Sequence, residues 1–151
     1  EDNIIINKPS VKSNVDFTWS APSNWVSVNN NSFSLASYEI LHTDGKADLS
    51  LTKFPGDAGG ITANVNRWRG QLKLESHTLE QINNNSIVGK SKIGNFSVHR
   101  LVNDSINQAF LCAILPYQDS TIFIKLKSNV LVMNSLEKKF LDFCSSFKPI
   151  D

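Results

Sequence analysis

Apolar positions change period several times along this chain, and each change marks an element. Val15-Asp16-Phe17-Thr18-Trp19 alternates apolar with polar, the two-residue period of a half-buried strand. Pro22-Ser23-Asn24-Trp25 makes a turn and supplies a second indole. Asn29 to Ser32 reads as a loop, and Phe33 to Ile40 as a further strand. Asp44-Gly45 then turns the chain into Ala47 to Phe54. There Leu49, Leu51 and Lys53 share one face, and Asp48, Ser50 and Thr52 share the other. An Asp-Gly pair between two such runs predicts a β-hairpin.

Over residues 60–73 the period becomes helical. Ile61, Val65, Trp68 and Leu72 fall at i, i+4, i+7 and i+11, a single apolar stripe for a core. Asp57 is the expected N-cap of this helix. Leu79 to Ile82 fits one more helical turn. Ser86 to Gly89 and Asn95 to Val102 read as strands around Gly94. Gln108 to Pro116 is nearly continuous apolar sequence, as in a central strand. Thr121 to Lys127 alternates, with Ile122, Ile124 and Leu126 inward and Phe123, Lys125 and Lys127 on the opposite face, where a helix could cover Phe123. A last helix is predicted over residues 135–147, with Leu136, Phe140, Phe143 and Phe147 buried. Asn134 and Glu137 would form its capping box, and Pro149 would stop it.

Residues 1–14 are polar apart from Ile4-Ile5-Ile6 and predict a tether or a weakly held edge segment. Residues 15–150 then form a single domain of the α+β class, a central antiparallel β-sheet with two main helices packed on it. The length of 151 residues fits one domain, and 40% hydrophobic content supplies a core.

Charge narrows the partners. Fifteen basic and fourteen acidic residues leave a net charge of +1, with the basic residues scattered. A nucleic-acid interface needs a basic stripe, so that partner is not expected. No run of eighteen apolar residues is present, so no membrane span is expected. Seventeen asparagines carry much of the polarity. An AT-rich genome accounts for such usage, which lowers the weight of every Asn-based motif. The only methionine is Met133 and the sequence starts at Glu1, which reads as a processed product, left either by removal of an export signal or by trimming. The expected location is the periplasm or cell envelope, with a lipid anchor as one option. Cys112 and Cys144 allow one pairing, a strand-to-helix disulfide, or stand as two buried thiols. No Cys or His cluster has metal-ligand spacing, and no cofactor is expected.

The helix over 60–73 carries the candidate chemistry. Thr62, Asn64, Asn66 and Gly70 are poor helix formers, so either packing contacts or a ligand must account for them. On a helical wheel Asn64, Arg67 and Gln71 line one flank of the Trp68 stripe, and Arg69 lies on the other. Amides plus a guanidinium can hold a carboxylate, a phosphate or a sugar hydroxyl pattern. Gly59-Gly60 would let an anion approach the helix N-terminus. Asn64, Arg67, Trp68, Arg69 and Gln71 are therefore the candidate contact surface, for a protein partner or a small anionic or polar ligand. The competing account has these side chains tying down loop carbonyls.

The opening Phe17-x-Trp19 strand followed by Pro22-x-x-Trp25 resembles the start of PsbP-type domains. The later order of hairpin, helix, several strands and Phe-rich terminal helix is similar too. The segment Gly59-Gly60-Ile61-Thr62-Ala63-Asn64-Val65-Asn66-Arg67-Trp68-Arg69-Gly70-Gln71 also resembles uncharacterised exported bacterial proteins. The resemblance covers residues 15–149 and implies a PsbP-like α/β sandwich, a fold whose members serve as non-enzymatic accessory or binding proteins. No functional motif of the photosynthetic members is matched here, so none of their residues carries over.

Nucleophile elbows, phosphate loops and dinucleotide fingerprints are absent from the sequence. The expected function is a non-catalytic binding or accessory domain of the bacterial envelope. One alternative is a hydrolase with a carboxylate or His99 near Gly59-Gly60. A cleft joining Asp57 with a histidine within hydrogen-bond reach would favour it. Another is a structural module of a larger assembly, which would expose a broad apolar patch including Phe123.

Overall fold

The computed structural model describes residues 15–29 and 34–150. The tether or edge segment expected over 1–14, and the loop expected over 29–32 apart from Asn29, lie outside the described residues. Strands β1 (Phe17–Thr18), β2 (Val26–Ser27), β3 (Ser34–His42) and β4 (Gly45–Pro55) come first. Helices α1 (Ile61–Gln71) and α2 (Leu79–Asn84) follow, then β5 (Ser86–Ser91) and β6 (Gly94–Asn103). A 3-10 turn over Asp104–Ile106 leads into β7 (Gln108–Tyr117), β8 (Ser120–Ser128), helix α3 (Val130–Ser145) and β9 (Lys148–Pro149).

Seven strands form one antiparallel sheet in the order β2-β3-β4-β8-β7-β6-β5. The apolar run of β7 lies between β6 and β8, buried on both faces, as its unbroken hydrophobicity requires. The chain thus makes a three-layer sandwich. Helix α3 covers one face of the sheet, and α1 with α2 covers part of the other.

Under α3 lies the larger core. Leu49, Leu51, Leu111, Leu115, Ile122, Ile124 and Leu126 face Met133, Phe140 and Phe143. Its end is closed by aromatic rings. Phe17 meets Tyr117 edge-on at 5.2 Å, and Trp19 stacks on Phe147 at 5.5 Å. Trp19 Nε1 also donates to the Tyr38 hydroxyl at 2.9 Å. A two-stranded clasp of β1 on β9 holds these rings in register, with Phe17 opposite Pro149. Each buried aromatic contributes on the order of 2 kcal/mol by removal from water, so the clasp is fixed by its side chains more than by two strand pairs. The Trp19 and Trp25 indoles are therefore core residues.

Helix α3 begins at Val130, five residues before the expected start. Asn129, rather than Asn134, is its N-cap and accepts from the Val132 N–H at 2.8 Å. Two of the first three residues, Val130 and Val132, are β-branched and gave no helical signal; the Asn129 cap and the burial of Val132 decide the conformation. Asn134 lies inside the helix and accepts from Arg100.

On the α1 face, Val65, Trp68 and Leu72 pack on Phe110, Cys112, Ile114 and Phe123. Trp68 meets Phe123 edge-on at 5.4 Å, and Phe123 is only 5% exposed. Cys112 belongs to this face and Cys144 to the core beneath α3, so the sheet separates them and both thiols are free. Among the described residues no helix is long and apolar enough to cross a membrane.

Candidate functional site

The β4–α1 connection is a compressed turn. Gly59 and Gly60 have φ of 97° and 87°, a region that side-chain-bearing residues rarely occupy. Gly56 N donates to Asp119 O at 2.7 Å and Thr121 Oγ1 donates to Gly56 O at 2.8 Å, which ties the turn to the β7–β8 hairpin. Asp57 does not cap α1. Its Oδ1 accepts from the Gly59 N–H at 3.0 Å, and its carbonyl accepts from Gly60. The N-cap is Gly60, with no side-chain cap bond, because the two-glycine turn carries Asp57 back along the loop.

Asn64 is 2% exposed and answers the question of the poor helix formers. Its Nδ2 donates to the carbonyls of Ala58 at 3.0 Å and Gly60 at 2.6 Å, closing the turn that precedes its own helix. Its Oδ1 accepts from Arg67 Nη1 at 2.6 Å. Asn66 makes the same kind of tie at the other side. It donates to His77 O at 2.9 Å and accepts from His77 N at 2.8 Å. Satisfied backbone groups in both loops offset the low helix propensity. The end of α1 is a Schellman motif. Lys73 sits at φ 60°, Leu74 N reaches Arg69 O at 2.9 Å, and Lys73 N reaches Gly70 O at 3.0 Å. A Cβ on Gly70 would meet nothing within 4 Å, so no close packing explains that glycine.

The five candidate side chains divide three ways. Trp68 is 2% exposed and anchors α1 to the sheet. Asn64 and Arg67 border a cleft of about 370 Å³ with Phe54, Pro55, Ala58 and Phe123. The Arg67 guanidinium lies 5.4 Å from the Trp68 ring centroid, and its bond to Asn64 fixes its direction. Gln71 is one turn further along and accepts from Lys125 Nζ at 2.8 Å, while that ammonium sits 4.2 Å over the Phe110 ring. Burial holds the Lys125 pKa below its ordinary value. Arg69 is on the opposite flank, where its Nε donates to Glu75 O and partial burial lowers its pKa. It borders a second cleft of about 330 Å³ with His77, Ile82, Asn85, His99 and the outer edge of β6.

A larger cleft, of about 560 Å³, opens at the N-terminal end of α1. Gly60, Ile61, Val88, Phe96, Ile114 and Thr121 line it, with Asp57 and Asp119 from the two turns. No sequence signal marks it, because its walls come from separate elements that only the sheet brings together. Asp57 borders this cleft and no histidine does. His99 is 3% exposed, and its Nε2 lies 2.9 Å from Ser97 Oγ. Burial pushes its pKa down to about 4, and no carboxylate among the described residues bonds to it. Asp57 and His99 therefore border different clefts. Among the described residues no three metal-ligating side chains cluster.

No protein-family model matches the sequence, and no curated protein sequence matches it. Solved structures do match in shape. The solution structure of cyanobacterial PsbP (CyanoP) from Synechocystis sp. PCC 6803 superposes with a TM-score of 0.56 at 14% identity, covering 89% of this chain and 87% of that one. LpqN of Mycobacterium tuberculosis, described as involved in cell envelope biogenesis, superposes with a TM-score of 0.51 at 10% identity, over 89% and 83% of the two chains. The fold is PsbP-like.

Proposed function

We propose that this protein is a non-catalytic binding domain of the bacterial cell envelope. It engages a small anionic or polar ligand, or an acidic group of a protein partner, through the Asn64–Arg67–Gln71 flank of α1. One observation carries the reading. Arg67 stands at the rim of an apolar cleft, held by Asn64 at 2.6 Å, with the Phe54 ring 37% exposed beside it. A guanidinium fixed in direction loses less side-chain freedom when it takes a carboxylate, and an adjacent ring accepts an apolar body. The likeness to LpqN supports an envelope setting, and a role without catalysis is supported by the cleft that Asp57 borders having no histidine in its lining. Trp68 anchors this surface to the sheet, and Arg69 lies on the other flank of α1.

The structural-module alternative needed a broad apolar patch around Phe123. That ring lies instead beneath α1 and Phe54. The test is a titration with aryl carboxylates, benzoate and phenylacetate, followed by amide chemical shifts. Saturable shifts at residues 54–58 and 64–71 are expected, and Arg67→Ala and Gln71→Ala should weaken them while leaving the melting temperature nearly unchanged. If both substitutions unfold the domain, the flank is scaffold and the reading fails. Fractionation of the producing cell tests the location. Recovery in the cytoplasm would refute it.

A further inference from the structure

The cleft on the Arg69 flank has a feature that packing does not require. His99 is 3% exposed, yet only one of its ring nitrogens is used within the protein. Nε2 pairs with Ser97 Oγ, and among the described residues Nδ1 has no partner. Nor is Nδ1 sealed inside the protein, since Trp25 Nε1 is the one fully enclosed, unpaired side-chain atom among the described residues. The second cleft is the one that His99 borders. An unpaired polar atom in a buried position costs about 1–3 kcal/mol unless water or a ligand meets it. The Ser97 hydroxyl can donate to Nε2, and in that tautomer Nδ1 carries the proton and presents a donor to the cleft.

The charges around the cleft agree with a donor site. Arg69 and His77 border it, and no carboxylate is among its lining residues. Arg69 spends only Nε on Glu75 O, so its two terminal nitrogens keep their donors. The neighbouring Glu75 carboxylate is exposed and favours the Arg69 cation. Arg100 also borders the cleft, but its guanidinium turns to the opposite layer, with Nε 3.3 Å from Glu137 Oε1. Strand β5 ends its pairing at Ser86 opposite His99, so β6 beyond His99 offers an edge without a β5 partner. Val65, Ile82 and Leu101 complete an apolar floor. A volume of about 330 Å³ is at the small end of ligand sites.

We propose that this cleft binds a small oxyanion, with the terminal guanidinium nitrogens of Arg69 and Nδ1–H of His99 as donors and His77 at the mouth. The site is on the opposite flank of α1 from Arg67, and its test stands apart from that of the Arg67 surface. Inorganic phosphate is the probe, titrated at constant ionic strength against chloride. Imidazole and guanidinium nitrogen resonances of the whole protein are followed. Expected are saturable shifts of the His99 and Arg69 side chains, with the His99 proton on Nδ1. Arg69→Gln should weaken phosphate binding by about tenfold, as loss of a charge-assisted donor pair does. His99→Gln, which can keep the contact to Ser97 but lacks Nδ1, should weaken it by at least about threefold. Lys138→Ala, an exposed cation on α3 across the sheet, should leave it unchanged. Shifts no larger than those with chloride, equal binding by the Arg69→Gln protein, or a His99 proton held on Nε2 in saturating phosphate would each overturn the proposal. The amide spectrum of each variant reports folding, so lost binding in a folded Arg69→Gln protein is attributable to the site.

Discussion

Acid should destabilise this protein through one imidazole. His99 lies in the layer between β6 and α1 and its pKa is about 4, against an ordinary value near 6.5, with desolvation as the cause. The folded pKa is the depressed one. Between pH 6.5 and 4 the unfolded chain therefore binds a proton that the native state excludes. Above pH 6.5 the full stability is present. As pH falls through that window stability declines, and below about pH 4 the loss from this group is complete. A difference of roughly 2.5 pH units at 1.36 kcal/mol each gives a total of about 3 kcal/mol, a large share of the stability of a domain this size. The assay is urea unfolding at intervals from pH 7.5 to pH 4, for the wild type and for His99→Gln. Glutamine can keep the hydrogen bond to Ser97 and does not titrate, so the carboxylates common to both proteins cancel in the difference. The gap between the two stabilities should close by about 3 kcal/mol on acidification. Two parallel curves would show that His99 is not desolvated, and the burial assigned to the α1 layer would be wrong.

Two further outcomes test the packing. A Cβ on Gly89 would lie 2.5 Å from Phe96 Cζ, and Phe96 is 3% exposed, so the ring has nowhere to swing. Gly89→Ala should cost about 1–3 kcal/mol by thermal or urea unfolding, and less in a Phe96→Leu background; an unchanged melting temperature would refute the contact. Burial pushes the Cys112 thiol up to about 12 and raises that of Cys144 as well, so neither should react with Ellman's reagent in the native protein and both should react on unfolding. One thiol titrating under native conditions would contradict its burial, and none after unfolding would contradict the separation of the two by the sheet.

Legibility in the sequence followed the reach of the interactions. The hairpin at Asp44-Gly45, the stripe from Ile61 to Leu72 and the apolar run of β7 depend on neighbours within a few residues, and each forms as its period predicts. So does the PsbP-like architecture, since strand and helix order with their buried faces leaves few ways to stack them. The position of the candidate row on α1 was likewise readable from helical geometry. The start of α3 was not, because its first turn carries two β-branched valines and is held by the burial of Val132 and Met133 and by the Asn129 cap.

What tertiary structure alone decided is how the α1 side chains divide their hydrogen bonds. Asn64 and Asn66 are committed to loop carbonyls, Gln71 to Lys125, and Arg67 to the rim of a cleft with Phe54 from another strand. The same holds for His99. Its place on β6 was plain, but its unpaired Nδ1 beside Arg69 exists only because α1 folds over that strand. Periodicity says which face a residue occupies. Which donors remain unspent depends on contacts between residues far apart in the chain, and those are set by the closing of the sheet and its helices.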